Sequence, residues 1–158
     1  MMAAVAHFSF VPSAETRELA GDLQDLFADL DATLPLDQRV YSGECRPALD
    51  VVETDSAIEV VVDVSGVPAA ALRVMFRGDL LLVAGEKAPT TPSAQEPTFH
   101  LVEREFGRFA RAVRLKGAFD VQRARASLDA GELRIVLPRC EERRGQAHLI
   151  AIAPADSR

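Results

Sequence analysis

The chain contains no tryptophan and one tyrosine, Tyr41, in 158 residues. A shortage of aromatic platforms disfavours a module built to stack sugar rings. Cys45 and Cys140 are too few and too far apart for a zinc cluster, and no Cys-x-x-Cys occurs. Two reduced, structurally minor thiols are expected, with a regulatory or intersubunit disulfide as the alternative. His7, His100 and His148 never fall in pairs with helical metal spacing, and no Gly-x-Ser-x-Gly elbow presents a nucleophile. Also missing is Gly-x-x-x-x-Gly-Lys-Ser/Thr, and with it a phosphate cradle through which ATP hydrolysis could be coupled to work. Neither an enzyme nor a cofactor or metal is expected. Positive charge is scarce: 18 Lys and Arg against 24 Asp and Glu leave a formal charge of −6, with the arginines spread among carboxylates, which argues against nucleic acid as a partner. No apolar run approaches the length of a membrane span, and "MMAAVAHFSFV" has no basic residue before Arg17, as a secretory signal would. A cytoplasmic location is the expectation.

What is present is a hydrophobic share of 48% with 27% charged residues, enough for one sizeable core and a soluble surface. The chain reads as one domain, 47–138, between an N-terminal region, 1–46, and a C-terminal extension, 139–158. In the first region Leu19, Leu23, Leu26, Phe27, Leu30 and Leu34 recur at steps of three and four, with Asp22, Asp25, Asp29 and Asp31 between them. That spacing predicts an amphipathic helix from Ser13, an available N-cap, to Leu34 before Pro35. Phe8 and Phe10 precede it. The helix either packs on its own domain or stands partly exposed to other subunits and sticky partners. The second reading is preferred because the following domain looks complete without it, and Phe8, Phe10, Leu23, Phe27 and Leu30 are then its contact residues.

From Pro47 the period changes to two. "AIEVVVDV" sets Ile58, Val60, Val62 and Val64 on one face and Glu59 and Asp63 on the other, and Gly66-Val67-Pro68 ends it. "LRVMF", the turn Gly78-Asp79 and the almost wholly apolar "LLLVAG" predict a hairpin. After a loop with Pro89, Pro92 and Pro97 come the predicted strands "TFHLVER" and "RFARAVRL", then "ARASLD", the turn Ala130-Gly131 and "ELRIVLP". Short strands at this spacing without helices between them predict an all-β, immunoglobulin-like antiparallel sandwich.

Four stretches now carry a resemblance: Pro47-Ala48-Leu49-Asp50; Asp63-Val64-Ser65-Gly66-Val67; Leu82-Val83-Ala84-Gly85-Glu86; and Ala126-Ser127-Leu128-Asp129-Ala130-Gly131-Glu132-Leu133. The last is similar to an Ala-x-x-x-Asn-Gly-x-Leu signature, and Ile150-Ala151-Ile152 to a C-terminal Ile-x-Ile motif. In this order they resemble the small heat-shock proteins of bacterial and plant type, whose central module is the α-crystallin domain. Departures are Ser65 where Pro is common, Lys116 where a Leu-Pro pair often ends a strand, and Ala130 where Asn or Asp suits the turn. If Ala130 takes a positive φ it costs on the order of 1 kcal/mol.

The resemblance implies a dimer made by strand exchange, in which Phe99, His100, Leu101 and Val102, within a segment ending at Arg104, pair with a neighbour's first strand, 49–53. Arg111 sits where the family often keeps an arginine near the dimer interface; a solvated strand charge is the alternative. The resemblance also implies that Ile150 and Ile152 dock between the family's fourth and eighth strands on another subunit. Here Leu72, Val74 and Phe76 would form one wall of that groove and Ala124, Ala126 and Leu128 the other. Burying two isoleucines gives roughly 3 to 6 kcal/mol gross, while each ordered tail residue costs about 1 to 2 kcal/mol. Single tails therefore bind weakly, and an assembly holds through many. The implied function is an ATP-independent chaperone that forms large homo-oligomers and keeps unfolded or partly folded clients from aggregating. A co-chaperone-like sandwich binding one folded partner is the rival; it would not need the Ile-x-Ile tail.

Overall fold

The computed structural model describes residues 13–34, 45–89 and 97–140. Alternation decides the first layer. In β2 (Ala57–Asp63) Ile58, Val60 and Val62 are buried on one face, and β7 (Glu132–Pro138) buries Leu133, Ile135 and Leu137 likewise. The two pair antiparallel with Val60 opposite Ile135 and Val62 opposite Leu133, so their apolar faces coincide. A slip of one residue would turn either face to water. β1 (Leu49–Glu53) adds to β2 and β6 (Arg125–Asp129) to β7, giving a sheet of order β1-β2-β7-β6. β3 (Leu72–Arg77), β4 (Leu80–Lys87) and β5 (Gly107–Arg114) form the second sheet, with β4 central. Leu81, Val83, Phe109 and Leu115 meet the first sheet's apolar face in one shared core.

The β6–β7 hairpin turns on Ala130 and Gly131, with φ of 48° and 80°. Positive φ at both central residues matches the twist of the flanking strands, and alanine there carries the Cβ penalty anticipated above. Ala130→Asn is therefore expected to stabilise the fold by about 1 kcal/mol, measured as a higher urea midpoint at unchanged slope.

β4 is buried along Leu81–Glu86 instead of alternating, because both of its faces are covered. Leu81 and Val83 face the sandwich core; Leu82 and Ala84 join a second cluster with Leu26 of helix α1 (Ser13–Thr33). The expectation that α1 stands partly exposed is corrected here. Leu26, Leu30 and Leu34 are buried, Leu30 completely, while Leu23 and Phe27 are half-buried. The reason lies in the sheet: without α1, Leu80, Leu82 and Ala84 would face water.

A second expectation also changes. Residues 97–106 form no strand with any of the described residues. Phe99, Leu101 and Val102 stand 64%, 74% and 63% exposed, and His100 is exposed among them. A strand requires a ladder partner, and this segment has none among the described residues.

Candidate functional site

Three surfaces distinguish this sandwich. The first lies between β3 and β6, the outer strands of the two sheets. Leu72 is buried there, and Phe76, Ala124 and Leu128 pack against the same core cluster, half-buried. Phe76 meets Phe119 edge-on, ring centroids 5.9 Å apart. Val74 and Ala126, from the same strand faces, are exposed. Of the six residues predicted for the groove, Leu72, Phe76, Ala124 and Leu128 thus share one core cluster, and Val74 and Ala126 do not belong to it. Ile150 and Ile152 lie outside the described residues, as do Phe8 and Phe10.

The second surface is the opposite margin. β1 pairs only with β2 among the described strands, so its other edge carries unpaired backbone groups, and Val51 and Val52 are exposed on it. Arg111 of β5 donates from its guanidinium to the Pro47 carbonyl just before β1. Burial, and secondarily the neighbouring Arg46, lower the Arg111 pKa from its ordinary value. The Glu105 carboxylate accepts from the Arg46 N–H at 3.2 Å. A cavity of about 300 Å³ is lined by Glu105 together with Lys87, Phe99, Leu101, Val102 and Phe106. Arg111 thus meets the chain just before β1, and Glu105, next to the exposed apolar segment, meets Arg46 there.

The third surface was not anticipated as a site. On the outer face of the second sheet, Arg73, Ala84 and Ala110 lie in one row, Met75, Leu82 and Ala112 in the next, and Arg77, Leu80 and Arg114 in the third. An apolar strip is thereby flanked by arginines on both outer strands. α1 lies on it through its leucines and through carboxylates: Asp22 to Arg77 at 2.8 Å, Asp29 to Arg73, and Asp31 to Arg108. Arg73 also donates to the Thr33 hydroxyl at 2.8 Å. Arg108 further bonds Glu86 Oε2 at 3.2 Å and stands over the Phe27 ring, while buried Glu86 Oε1 has no hydrogen-bond partner among the described residues. The uninterrupted apolar run Leu80–Ala84 was the signal, since a strand without polar alternation must be covered on both faces.

Among the described residues no cluster of His, Cys, Asp and Glu is placed to hold a metal ion, and no helix is long and apolar enough to cross a membrane. Cys45 is buried, and burial raises its thiol pKa, Lys87 opposing and Glu105 reinforcing the shift; Cys140 is exposed. Since the thiolate is the reactive form, an alkylating reagent at neutral pH is expected to label Cys140 promptly and Cys45 only on unfolding. Peptide mass mapping after timed labelling checks this.

The model of the Hsp20/alpha crystallin family matches residues 50–153. The 16.9 kDa class I heat shock protein 1 of Triticum aestivum is 30% identical over 137 residues, 82% of this chain and 90% of the wheat protein. Among solved structures, heat shock protein 16.0 from Schizosaccharomyces pombe is 28% identical and superposes with a TM-score of 0.59, covering 70% of this chain and all of that one. A small heat-shock protein from Xylella fastidiosa, described as having a distinct high order structure, is 26% identical with a TM-score of 0.59, over 70% of this chain and 98% of that one. With the family match spanning both sheets and both open margins of the sandwich, this chain belongs to the Hsp20/alpha crystallin family, the small heat-shock proteins.

Proposed function

We propose that the chain is an ATP-independent holdase that binds non-native proteins and prevents their aggregation under stress. A non-enzymatic chaperone role follows from the family. The finer reading is supported by one observation: a single sandwich with exposed Val74 beside half-buried Phe76 on one edge strand, and an open β1 edge together with the exposed apolar side chains Phe99, Leu101 and Val102. Such a unit has two faces left to satisfy, and two different contacts per subunit build assemblies rather than closed pairs.

In this reading residues 97–104 lend a strand to a neighbour's β1, and the resulting dimers are tied together when Ile150 and Ile152 enter the β3–β6 groove of another subunit. The high order structure described for the Xylella protein supports an assembly of this kind. Residues 1–46 and 139–158 act as the assembly regions on either side of the 47–138 domain, in the cytoplasm. Weak, repeated tail contacts keep opening, and heating or dilution frees grooves for clients. Ile150→Ala with Ile152→Ala is expected to collapse the native mass to that of a dimer, read by sedimentation velocity. An unchanged mass counts against tail docking.

The function itself is tested by warming the protein with a heat-labile enzyme without nucleotide and separating the products by size. Soluble complexes containing both proteins are expected; client found only in the pellet would exclude the holdase reading.

A further inference from the structure

We infer that the outer face of the β3–β4–β5 sheet is a docking site for acidic amphipathic helices, and that α1 is its displaceable occupant in cis. The face has the composition of a receptor. Leu80, Leu82, Ala84, Met75 and Ala112 provide an apolar strip, and Arg73, Arg77 and Arg108 stand at its margins.

Spacing makes the recognition specific. Arg73 and Arg77 are four strand residues apart, roughly 13 Å, and their partners Asp29 and Asp22 are seven helical residues apart, roughly 10 Å. Between these acids Leu26 enters the strip, Leu30 follows it into the core, and Asp31 reaches across to Arg108. A helix fits if it carries acids at i, i+7 and i+9 with leucines at i+4 and i+8. Such a pattern lies within reach of an exposed amphipathic segment of an unfolding protein, and naming clients as the source rests on the holdase reading.

Two observations favour displacement. The arginine–carboxylate contacts are largely solvent-exposed on at least one partner, as with Asp29 at 63% and the Arg77 side chain at 60%, and exposed pairs hold weakly and yield to salt. Glu86 Oε1 lies buried without a partner at the edge of this interface, so lifting the helix relieves a desolvated carboxylate oxygen.

The test uses the full chain and a fluorescein-labelled peptide of residues 13–34, with binding read by anisotropy at low ionic strength. Asn replacing Asp22, Asp29 and Asp31 in the full chain weakens the cis occupant, and peptide affinity is expected to rise by about tenfold over wild type, the scale of a few such pairs. A peptide carrying Lys at those three positions is expected to bind the same variant about tenfold more weakly, and the R73E/R77E chain should reverse that preference. Equal affinity for both peptides, no gain on weakening the cis contacts, or an unreversed preference would each overturn the proposal. Because no client or heating enters this measurement, its failure leaves aggregation suppression to be judged separately.

Discussion

Gly85→Ala is expected to remove about 3 kcal/mol of unfolding free energy, the upper end of what an overpacked core position costs. An added Cβ would lie 2.5 Å from Cζ of Phe109 and 2.8 Å from the Ala71 carbonyl oxygen. The first neighbour is a buried core ring and the second is backbone, so neither swings away as an exposed side chain would. β4 is also the middle strand of its sheet, which spreads the displacement into both β3 and β5. Gly21 in α1 supplies the control. Nothing lies within 4 Å of its Cβ position, and alanine there should stabilise by roughly 0.5 to 1 kcal/mol, because glycine loses more freedom in a helix. Urea denaturation of both variants measures the difference. Similar stabilities would mean that the Phe109–Ala71 contact is not the constraint on position 85.

The second large effect concerns association rather than folding. Phe99→Asp with Leu101→Asp is expected to weaken dimerisation by at least about a hundredfold, since two large apolar side chains each lose roughly 1.5 to 3 kcal/mol of burial. Both side chains are mostly exposed in the single chain, so the fold of the monomer should change by no more than about 0.5 kcal/mol. Sedimentation velocity across a dilution series separates the two quantities. An unchanged association with an unchanged melting curve would show that this segment is not the exchanged strand, and would leave its apolar exposure to another purpose.

How much of this was legible follows from what each residue's neighbours are. Ile58, Val60, Val62, Leu133, Ile135 and Leu137 were readable as core because a half-buried strand writes its burial into a period of two. The cost at Ala130 was readable because only a few residue types suit a two-residue hairpin turn. The faces Leu72 to Phe76 and Ala124 to Leu128 were readable from the sequence, whereas the sharing of one core cluster by Leu72, Phe76, Ala124 and Leu128 appears only when the sheets are stacked. By contrast, the helical period of residues 19–34 specifies an apolar stripe without naming its partner, so the packing of Leu30 on the sandwich was missed. The arginines of β3 and β5 and the acids of α1 were visible as alternation and as spacing, yet their pairing joins residues more than 40 positions apart. For "TFHLVER" the alternation was real but no ladder partner lies among the described residues. A strand exists only when its hydrogen bonds do.

The most direct measurement is light scattering of a heat-labile client warmed with increasing amounts of this protein and no nucleotide. The holdase account predicts that scattering falls progressively and is suppressed near a stoichiometric ratio of subunit to client. Undiminished scattering at every ratio, with this protein itself folded at the assay temperature, would contradict it.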